Sequence, residues 1–139
     1  MINWVIPDCL TRSHRPGYKG GCREAVAEPI VEAWCDAARA AGVRSILCLL
    51  AKEHLDLYRD IPRGLIVFYQ DCGFTVAHVS VADYKRPPLD DAELIKVWEA
   101  FRQLPKPILV HCSAGVDRTG AAVAHILDKL KAGEVPKSE

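Results

Sequence analysis

The sequence has no net charge and no long apolar run. Eighteen basic and eighteen acidic side chains balance among 139 residues, so no whole-chain field attracts the protein to nucleic acid or to an anionic membrane. No stretch approaches the ~18 apolar residues that cross a bilayer, and the start of the chain lacks a basic flank followed by an apolar signal segment. We therefore expect no nucleic-acid partner, no membrane span and a cytoplasmic location.

Cysteine and histidine clusters of the kind that bind metals are also missing. The six cysteines form no C-x-x-C pair and no group at zinc-finger spacing: Cys9, Cys22, Cys35, Cys48, Cys72 and Cys112. Without a signal segment they are interpreted as reduced thiols rather than as disulfides. Four histidines also show no metal-ligand spacing: His14, His54, His78 and His125. The sequence therefore predicts neither a metal nor a cofactor.

A nucleotide-binding glycine fingerprint is absent, as are internal repeats and low-complexity segments. The Pro/Gly-dense stretch 15–21 has no following Gly-Lys-Ser/Thr and does not connect a strand to a helix, so we interpret it as a loop. The length, with 50% hydrophobic and 26% charged residues, is typical of one globular domain. We expect a single domain over 1–139 and a monomer.

What the sequence does contain is an alternation of apolar runs and helical patterns. The predicted elements are a helix over 28–41, a strand over 45–50, a short helix within 63–72, a strand over 74–81, a helix from Asp90 to Leu104, a strand over 108–112 and a last helix from Ala121 to Leu130. Continuous apolar strands are typical of parallel sheets covered on both faces. The fold class is therefore α/β, with three layers and a mostly parallel central sheet between helices.

The strongest chemical signal follows the strand over 108–112. Cys112 ends that strand, and Arg118 stands at the start of the next helix. A turn between a strand and a helix directs backbone N–H groups towards an anion. The same positive groups favour a thiolate, the nucleophilic form of cysteine, and the planar fork of Arg118 can hold two phosphate oxygens.

The predicted phosphate-binding loop and two supporting residues complete this site. The loop consists of Ser113, Ala114, Gly115, Val116, Asp117 and Arg118. Thr119 is placed to donate a hydrogen bond to the Cys112 sulfur when that sulfur becomes a leaving group. His111 points to the other face of its strand, where we expect it to hydrogen-bond the backbone around the loop.

The stretch from His111 to Gly120 resembles the His-Cys-(x)5-Arg-Ser/Thr signature of the cysteine-dependent protein tyrosine phosphatases. The segments 3–7, 42–47 and 81–84 are similar to parts of small atypical dual-specificity phosphatases. The resemblance implies a tyrosine/dual-specificity phosphatase-like fold and attack by Cys112 on phosphorus, which gives a phosphocysteine that water then hydrolyses. It implies no metal, because an arginine and the loop amides supply the positive charge.

The general acid of that family is an aspartate on a loop after a strand, upstream of the cysteine. The resemblance assigns this role to Asp83, on the loop that follows the predicted strand over 74–81. Asp71, Asp90 and Asp91 remain alternatives, although Asp90 with Glu93 also forms a capping box for the next helix.

Two departures from the family bear on the substrate. Tyrosine-specific relatives carry a water-positioning glutamine beyond the signature, whereas Gln70 and Gln103 both precede it. The chain also ends soon after Thr119, where larger relatives continue with further helices. Both features favour a shallow, dual-specificity site that accepts phosphotyrosine and, more slowly, phosphoserine or phosphothreonine on a protein.

Other functions remain open at this point. An aspartate before the arginine, as Asp117 is here, also occurs in phosphatases that act on inositol phosphates or lipids. Five cations are candidates for the rim of the site, with an exposed charge as the alternative interpretation of each: Arg12, Arg15, Lys19, Lys85 and Arg86. An inactive phosphate-binding module, sulfur transfer and arsenate reduction are further alternatives. The coexistence of Cys112, Arg118, Asp83 and Thr119 favours the enzyme, because a binding module needs no nucleophile and acid together.

Overall fold

The computed structural model describes residues 1–134 as a five-stranded sheet with helices on both faces. The strands are β1 (Asn3–Ile6), β2 (Leu10–Ser13), β3 (Ser45–Cys48), β4 (Thr75–His78) and β5 (Ile108–His111). The helices are α1 (Glu28–Ala40), α2 (Lys52–Leu55), α3 (Gly64–Asp71), α4 (Asp91–Gln103) and α5 (Asp117–Lys131), with a 3-10 turn at Asp56–Tyr58. The predicted domain over 1–139 includes residues 135–139, which lie outside the described part.

The strand order places β5 in the middle of the sheet. The order is β1-β2-β5-β3-β4, with β1 antiparallel to β2 and every other neighbouring pair parallel. His111 at the end of β5 pairs with Ser13 on one side and Cys48 on the other. The segments that follow these three strands therefore meet at one edge of the sheet, where ligands bind in open α/β folds. The predicted mostly parallel sheet is confirmed.

Each face of the sheet carries its own apolar core. On one face α4 and α5 pack through buried side chains that include Val97, Phe101, Val123 and Ile126. On the other, α1 and α3 pack through buried side chains that include Val31, Trp34, Leu65 and Tyr69. The three-layer prediction is thereby confirmed. Within residues 1–134, no helix is both long and apolar enough to cross a membrane.

Several predicted elements form at or near their expected positions. The ambiguous segment 63–72 is helical as α3, and Gly73 follows it with a left-handed φ of 98° that ends the helix. Asp90 accepts a hydrogen bond from the Glu93 amide and its own amide donates to the Glu93 carboxylate, so the predicted capping box starts α4.

The strand predictions were too long at their carboxyl ends. β3 ends at Cys48 rather than residue 50, and β4 ends at His78 rather than residue 81. Leu49 and Val81 remain buried beyond these ends and their amides bond to His111 and Leu49 carbonyls, respectively. An apolar run thus indicates which residues are buried, and the buried segment extends beyond the last residue of the hydrogen-bonded strand.

β1 and β2 are not among the predicted elements, and the apolar pattern of α5 begins later than the helix itself. β2 reads Leu-Thr-Arg-Ser, a polar pattern, yet Thr11 is fully buried and its hydroxyl accepts a hydrogen bond from the Asn3 amide. α5 begins at Asp117 rather than at Ala121, and Arg118 lies in its first turn, at the helix start predicted for it. Both differences concern residues that shape the site.

Candidate active site

The carbonyl groups of the loop after β5 accept hydrogen bonds from residues outside the loop. The Ser113 carbonyl accepts a 2.8 Å hydrogen bond from the Arg15 amide. Nη2 of Arg12 donates to the Gly115 carbonyl at 2.9 Å. Because the C=O and N–H groups of a peptide unit point in opposite directions, these contacts turn the following amides towards the concave side of the loop. Cys112 lies at the base of that concavity and is only 2% exposed.

Gly115 allows the loop to approach the end of β2. Its φ is +78°, and a Cβ at this position would lie 2.6 Å from the Ser13 carbonyl oxygen. Both the left-handed backbone and the close approach exclude a side chain. The shape of the loop therefore depends on this glycine, while its neighbour Val116 is exposed.

The guanidinium of Arg118 is held at both terminal nitrogens, whereas its Nε has no partner among the described residues. Nη1 donates to the Val81 carbonyl at 2.8 Å. Nη2 lies 3.4 Å from Oδ2 of Asp83. Nε is buried and has no hydrogen-bond partner among the described residues. With the side chain 2% exposed, Arg118 presents a fixed Nε and Nη2 edge that matches two oxygens of a phosphate.

Asp83 reaches Arg118 from the loop that follows β4. Its side chain is 17% exposed, and Oδ1 accepts a 2.9 Å hydrogen bond from the Tyr84 amide. Tyr84 adopts a left-handed φ of 63° and is 90% exposed. The turn at these two residues directs the carboxylate inwards and the aromatic ring outwards.

The alternative acids lie away from Cys112. Asp71 pairs with Arg63 at 2.7 Å on the surface. Asp90 caps α4, and Asp91 lines a groove formed by α4 and α5. None of these three carboxylates lines the cavity that contains Cys112.

That cavity has a volume of about 250 Å³. It brings together six residues that the sequence singled out as reactive or phosphate-binding: Cys112, Arg118, Asp83, Asp117, Ser113 and Ala114. The remaining lining residues are Tyr18, Gly20, Gly21, Cys22, Arg23, His54 and Tyr84. The sequence analysis assigned no role in the site to His54, Arg23 or the two tyrosines.

The five candidate rim cations lie outside the cavity: Arg12, Arg15, Lys19, Lys85 and Arg86. Arg12 is engaged with the loop carbonyls, and Arg15 is buried, with Nε 3.1 Å from the Ser113 hydroxyl. Lys85 pairs with Glu93 of the capping box and donates to a backbone carbonyl. These three cations support the fold and the loop, and Arg23 lines the cavity.

His111 supports the loop from the opposite side of β5. Nδ1 donates to the Cys112 carbonyl at 2.9 Å, so the neutral ring accepts at Nε2 from the Tyr69 hydroxyl at 2.9 Å. Burial lowers the pKa of His111 to about 4 and raises that of Tyr69 well above its usual value. The hydrogen bond from Nδ1 to the Cys112 carbonyl is the backbone contact that the sequence predicts for His111.

Thr119 lies inside the first turn of α5 and is fully buried. Its Oγ1 has no hydrogen-bond partner within the described part of the chain. Its predicted bond to the Cys112 sulfur concerns the leaving-group state and stays a prediction.

Comparisons with solved structures identify the fold. The kinase associated phosphatase (KAP), with its catalytic-site cysteine replaced by serine, has a TM-score of 0.68 at 23% identity over 92% of this chain and 69% of that chain. A DUF442 phosphatase from Shewanella putrefaciens CN-32 has a TM-score of 0.66 at 21% identity, over 97% and 71%. The catalytic core of the PP-IP phosphatase SIW14 from S. cerevisiae has a TM-score of 0.56 at 19% identity, over 99% and 78%.

Comparison of the sequence with curated proteins gives no match. A family model does match, over residues 22–132, and its description is Tc-R-P: polymorphic toxin system, DSP-PTPase phosphatase. This range includes β3, β4, β5 and the complete loop between Cys112 and Arg118. The chain therefore belongs to the Tc-R-P family of DSP-PTPase phosphatases, which are cysteine-dependent phosphatases.

Proposed function

We propose that the chain hydrolyses phosphate monoesters on proteins, phosphotyrosine fastest and phosphoserine or phosphothreonine more slowly. The observation that carries this proposal is the buried, unpartnered Nε of Arg118 beside the loop that follows Cys112. A buried donor without an acceptor costs about 1–3 kcal/mol, and more when it is charged. A phosphate oxygen at this position supplies the missing acceptor.

Arg118 acts as the phosphate clamp in this proposal. Nη1 remains on the Val81 carbonyl, which fixes the plane of the guanidinium. Nε and Nη2 then bind two phosphate oxygens, and the phosphate takes the place of Asp83 at Nη2. The inward amides of the loop receive the remaining oxygens, so that phosphorus faces the Cys112 sulfur.

The first chemical step forms an S–P bond. The Cys112 thiolate attacks phosphorus in line with the ester oxygen, and the P–O bond to that oxygen breaks. Asp83, released from Arg118 and carrying the proton that it takes up in the second step of each cycle, gives that proton to the leaving oxygen, and the product alcohol or phenol departs. The phosphocysteine keeps its oxygens on Arg118 and the loop.

The second step returns the enzyme to its starting state. Water attacks phosphorus while Asp83 takes up one of its protons, and the S–P bond breaks to give inorganic phosphate and the Cys112 thiolate. The Thr119 hydroxyl, which has no partner in the structure, is our candidate donor to the departing sulfur.

The cavity lining supports a protein substrate with a single phosphate. Two of the cations considered for a multiply phosphorylated lipid or inositol are engaged elsewhere, with Lys85 on Glu93 and Arg12 on loop carbonyls. Besides Arg118, Arg23 is the only arginine or lysine among the described residues that line the cavity. Tyr18 also lines the cavity, and an aromatic face packs favourably against a phosphotyrosine ring. Hydrolysis of phosphotyrosine also depends less on protonation of the leaving oxygen by Asp83, because a phenolate leaves more readily than an alkoxide.

Hydrolysis of para-nitrophenyl phosphate by the wild type and by Cys112→Ser tests the chemistry. We expect turnover by the wild type and none by the variant, which should still bind inorganic phosphate. Phosphate binding without turnover by either protein would identify an inactive binding module.

A panel of phosphopeptides and phosphoinositides at matched concentration tests the substrate class. We expect phosphotyrosine peptides to react fastest. A preference of more than about tenfold for an inositol headgroup, lost in Arg23→Gln, would overturn the protein substrate and leave the cysteine mechanism intact.

A further inference from the structure

His54 lies in the cavity although no sequence motif points to it. It belongs to α2, the short helix that follows β3, and β3 pairs directly with β5. The side chain is 8% exposed and lines the same cavity as Cys112 and Arg118. The small accessible part of the ring therefore faces the space in which a phosphate would bind.

The hydrogen bonding of the ring defines what it can offer there. Nδ1 of His54 is enclosed and has no hydrogen-bond partner among residues 1–134. An N–H group enclosed without an acceptor is costly, so the neutral ring carries its proton on Nε2. His54 consequently presents an N–H donor, and no net charge, towards the cavity.

The charges around the ring keep it neutral. Burial lowers the pKa of His54, and the guanidinium groups of Arg118 on α5 and Arg15 after β2 lower it further. The carboxylates of Asp83, after β4, and Glu53, on α2 itself, act in the opposite direction with smaller effect. A neutral imidazole at neutral pH therefore lies near the cation that clamps phosphate.

An unpartnered ring nitrogen alone would not support a role. His125 also has a buried nitrogen without a hydrogen-bond partner, at Nε2, but it lies in the groove between α4 and α5. What distinguishes His54 is its position in the cavity with the nucleophile, the acid and the clamp. His125 therefore provides a matched control.

We propose that His54 binds the substrate by donating a hydrogen bond from Nε2 to an oxygen of the phosphate group. It thereby adds a neutral donor to the charged clamp of Arg118 and to the loop amides. This inference rests on the proposed function, because it assigns a residue to the same phosphate site.

The test compares two substitutions of His54 that differ in whether the new side chain can donate a hydrogen bond to phosphate. His54→Leu fills a similar volume without a donor, whereas His54→Gln can place an amide N–H close to the position of Nε2. Binding of inorganic phosphate is measured by calorimetry for the wild type, both variants and His125→Leu. Thermal unfolding of each protein shows whether it is folded.

We expect His54→Leu to weaken phosphate binding about 10- to 100-fold, the usual effect of losing a hydrogen bond to a charged group. His54→Gln should recover most of that loss, and His125→Leu should bind as the wild type does. In the wild type, added phosphate should shift the ¹⁵N resonance of His54 Nε2.

Three results would overturn the inference. They are phosphate binding by folded His54→Leu within twofold of the wild type, equal losses in the Leu and Gln variants, and a His54 resonance that phosphate does not move. The readout is binding rather than turnover. A wild type that binds phosphate through His54 but hydrolyses no ester would therefore contradict the proposed function and leave the inference standing.

Discussion

The carboxylate of Asp83 lies 3.4 Å from the guanidinium of Arg118, in a cavity where the arginine is 2% exposed and the aspartate 17%. The two groups are thus paired before any substrate is present. Arg118 cannot follow the aspartate, because the Val81 carbonyl holds its other terminal nitrogen. In the proposed mechanism, a phosphate that binds Nη2 therefore displaces Asp83 alone, and the carboxyl stays close to the ester oxygen.

Substitution of Asp83 should reveal its role through the leaving group. Asp83→Asn keeps the shape of the side chain but cannot give up a proton. We expect turnover of phenyl phosphate to fall by about 10²–10⁴, with a smaller loss for para-nitrophenyl phosphate, whose phenolate needs little help. Asp71→Asn, which removes a surface ion pair, should match the wild type. Loss of turnover in Asp71→Asn instead would move the acid role.

Replacement of Arg118 by lysine should separate the effect of its charge from the effect of its planar geometry. Arg118→Lys keeps the positive charge but loses the fork that holds two oxygens and the Val81 carbonyl together. We expect kcat/KM for para-nitrophenyl phosphate to fall by about 10²–10³, the usual effect of removing a preorganised oxyanion donor. Arg102→Lys, in an ion pair on α4, serves as the control. Retention of activity within tenfold would show that charge alone suffices.

The sequence predicted most of the fold because its apolar patterns follow burial. Continuous runs such as 45–50 correctly indicated strands covered on both faces, although they extended past the ladder. β2 was missed because its pattern is polar. Thr11 is buried there through a hydrogen bond to the Asn3 amide, so its burial depends on a partner that no local pattern reveals.

The sequence predicted the parts of the site that the family resemblance covers. Cys112 and Arg118 belong to one short motif, and the resemblance assigns the acid role to Asp83 on the loop after a strand. His54 and Arg23 enter the cavity from segments without a motif. The end of β3 was the available signal for His54, since segments after neighbouring parallel strands meet at the same edge. Arg12 was misjudged because its loop contact spans most of the chain.

The six thiols should differ sharply in reactivity. Burial raises the pKa of Cys48 to about 12 and that of Cys35 well above its usual range, so both should resist alkylation. Cys112 lies at the base of the loop, whose inward amides should attract the carboxylate of iodoacetate to its sulfur. We expect iodoacetate at pH 6 to modify Cys112 first, as measured by mass spectrometry of peptides, and inorganic phosphate to protect it.

Cys22 is the internal control for access in that experiment. It lines the same cavity as Cys112 but does not belong to the loop. If Cys22 reacts as fast as Cys112, then access rather than the loop determines the rate. Equal labelling of all six cysteines would contradict the assignment of the nucleophile.

Stability should fall as the pH drops below neutrality because of His111. Its pKa is lowered to about 4 by burial, whereas in the unfolded chain a histidine titrates near 6.5. Between these values the unfolded state binds a proton that the native state does not. This histidine therefore contributes stability above about pH 6.5, and the contribution is lost as the pH falls towards 4.

Urea unfolding at pH 7 and pH 5 measures this effect. From pH 7 to pH 5 the contribution of His111 should decrease by about 2 kcal/mol. His111→Asn retains an N–H group that can donate to the Cys112 carbonyl but does not titrate, so its stability should depend less on pH. An equal pH dependence in the two proteins would show that His111 does not control this loss.

The last prediction concerns Gly115, the residue that lets the loop pass the end of β2. In Gly115→Ala the new Cβ would lie 2.6 Å from the Ser13 carbonyl oxygen, which belongs to the backbone and cannot rotate away. Gly73→Ala is a matched control, because Gly73 also has a positive φ, of 98°, but apart from Gly73 and its two chain neighbours no atom of the described residues lies within 4 Å of its Cβ position. Both variants carry the left-handed strain of about 1–2 kcal/mol, and only Gly115→Ala must also move the loop.

We therefore expect similar losses of stability from strain in Gly115→Ala and Gly73→Ala. Only Gly115→Ala should also lose phosphate binding, measured by calorimetry, and turnover of para-nitrophenyl phosphate. Normal phosphate affinity in Gly115→Ala would mean that the loop binds its anion without the close contact to Ser13.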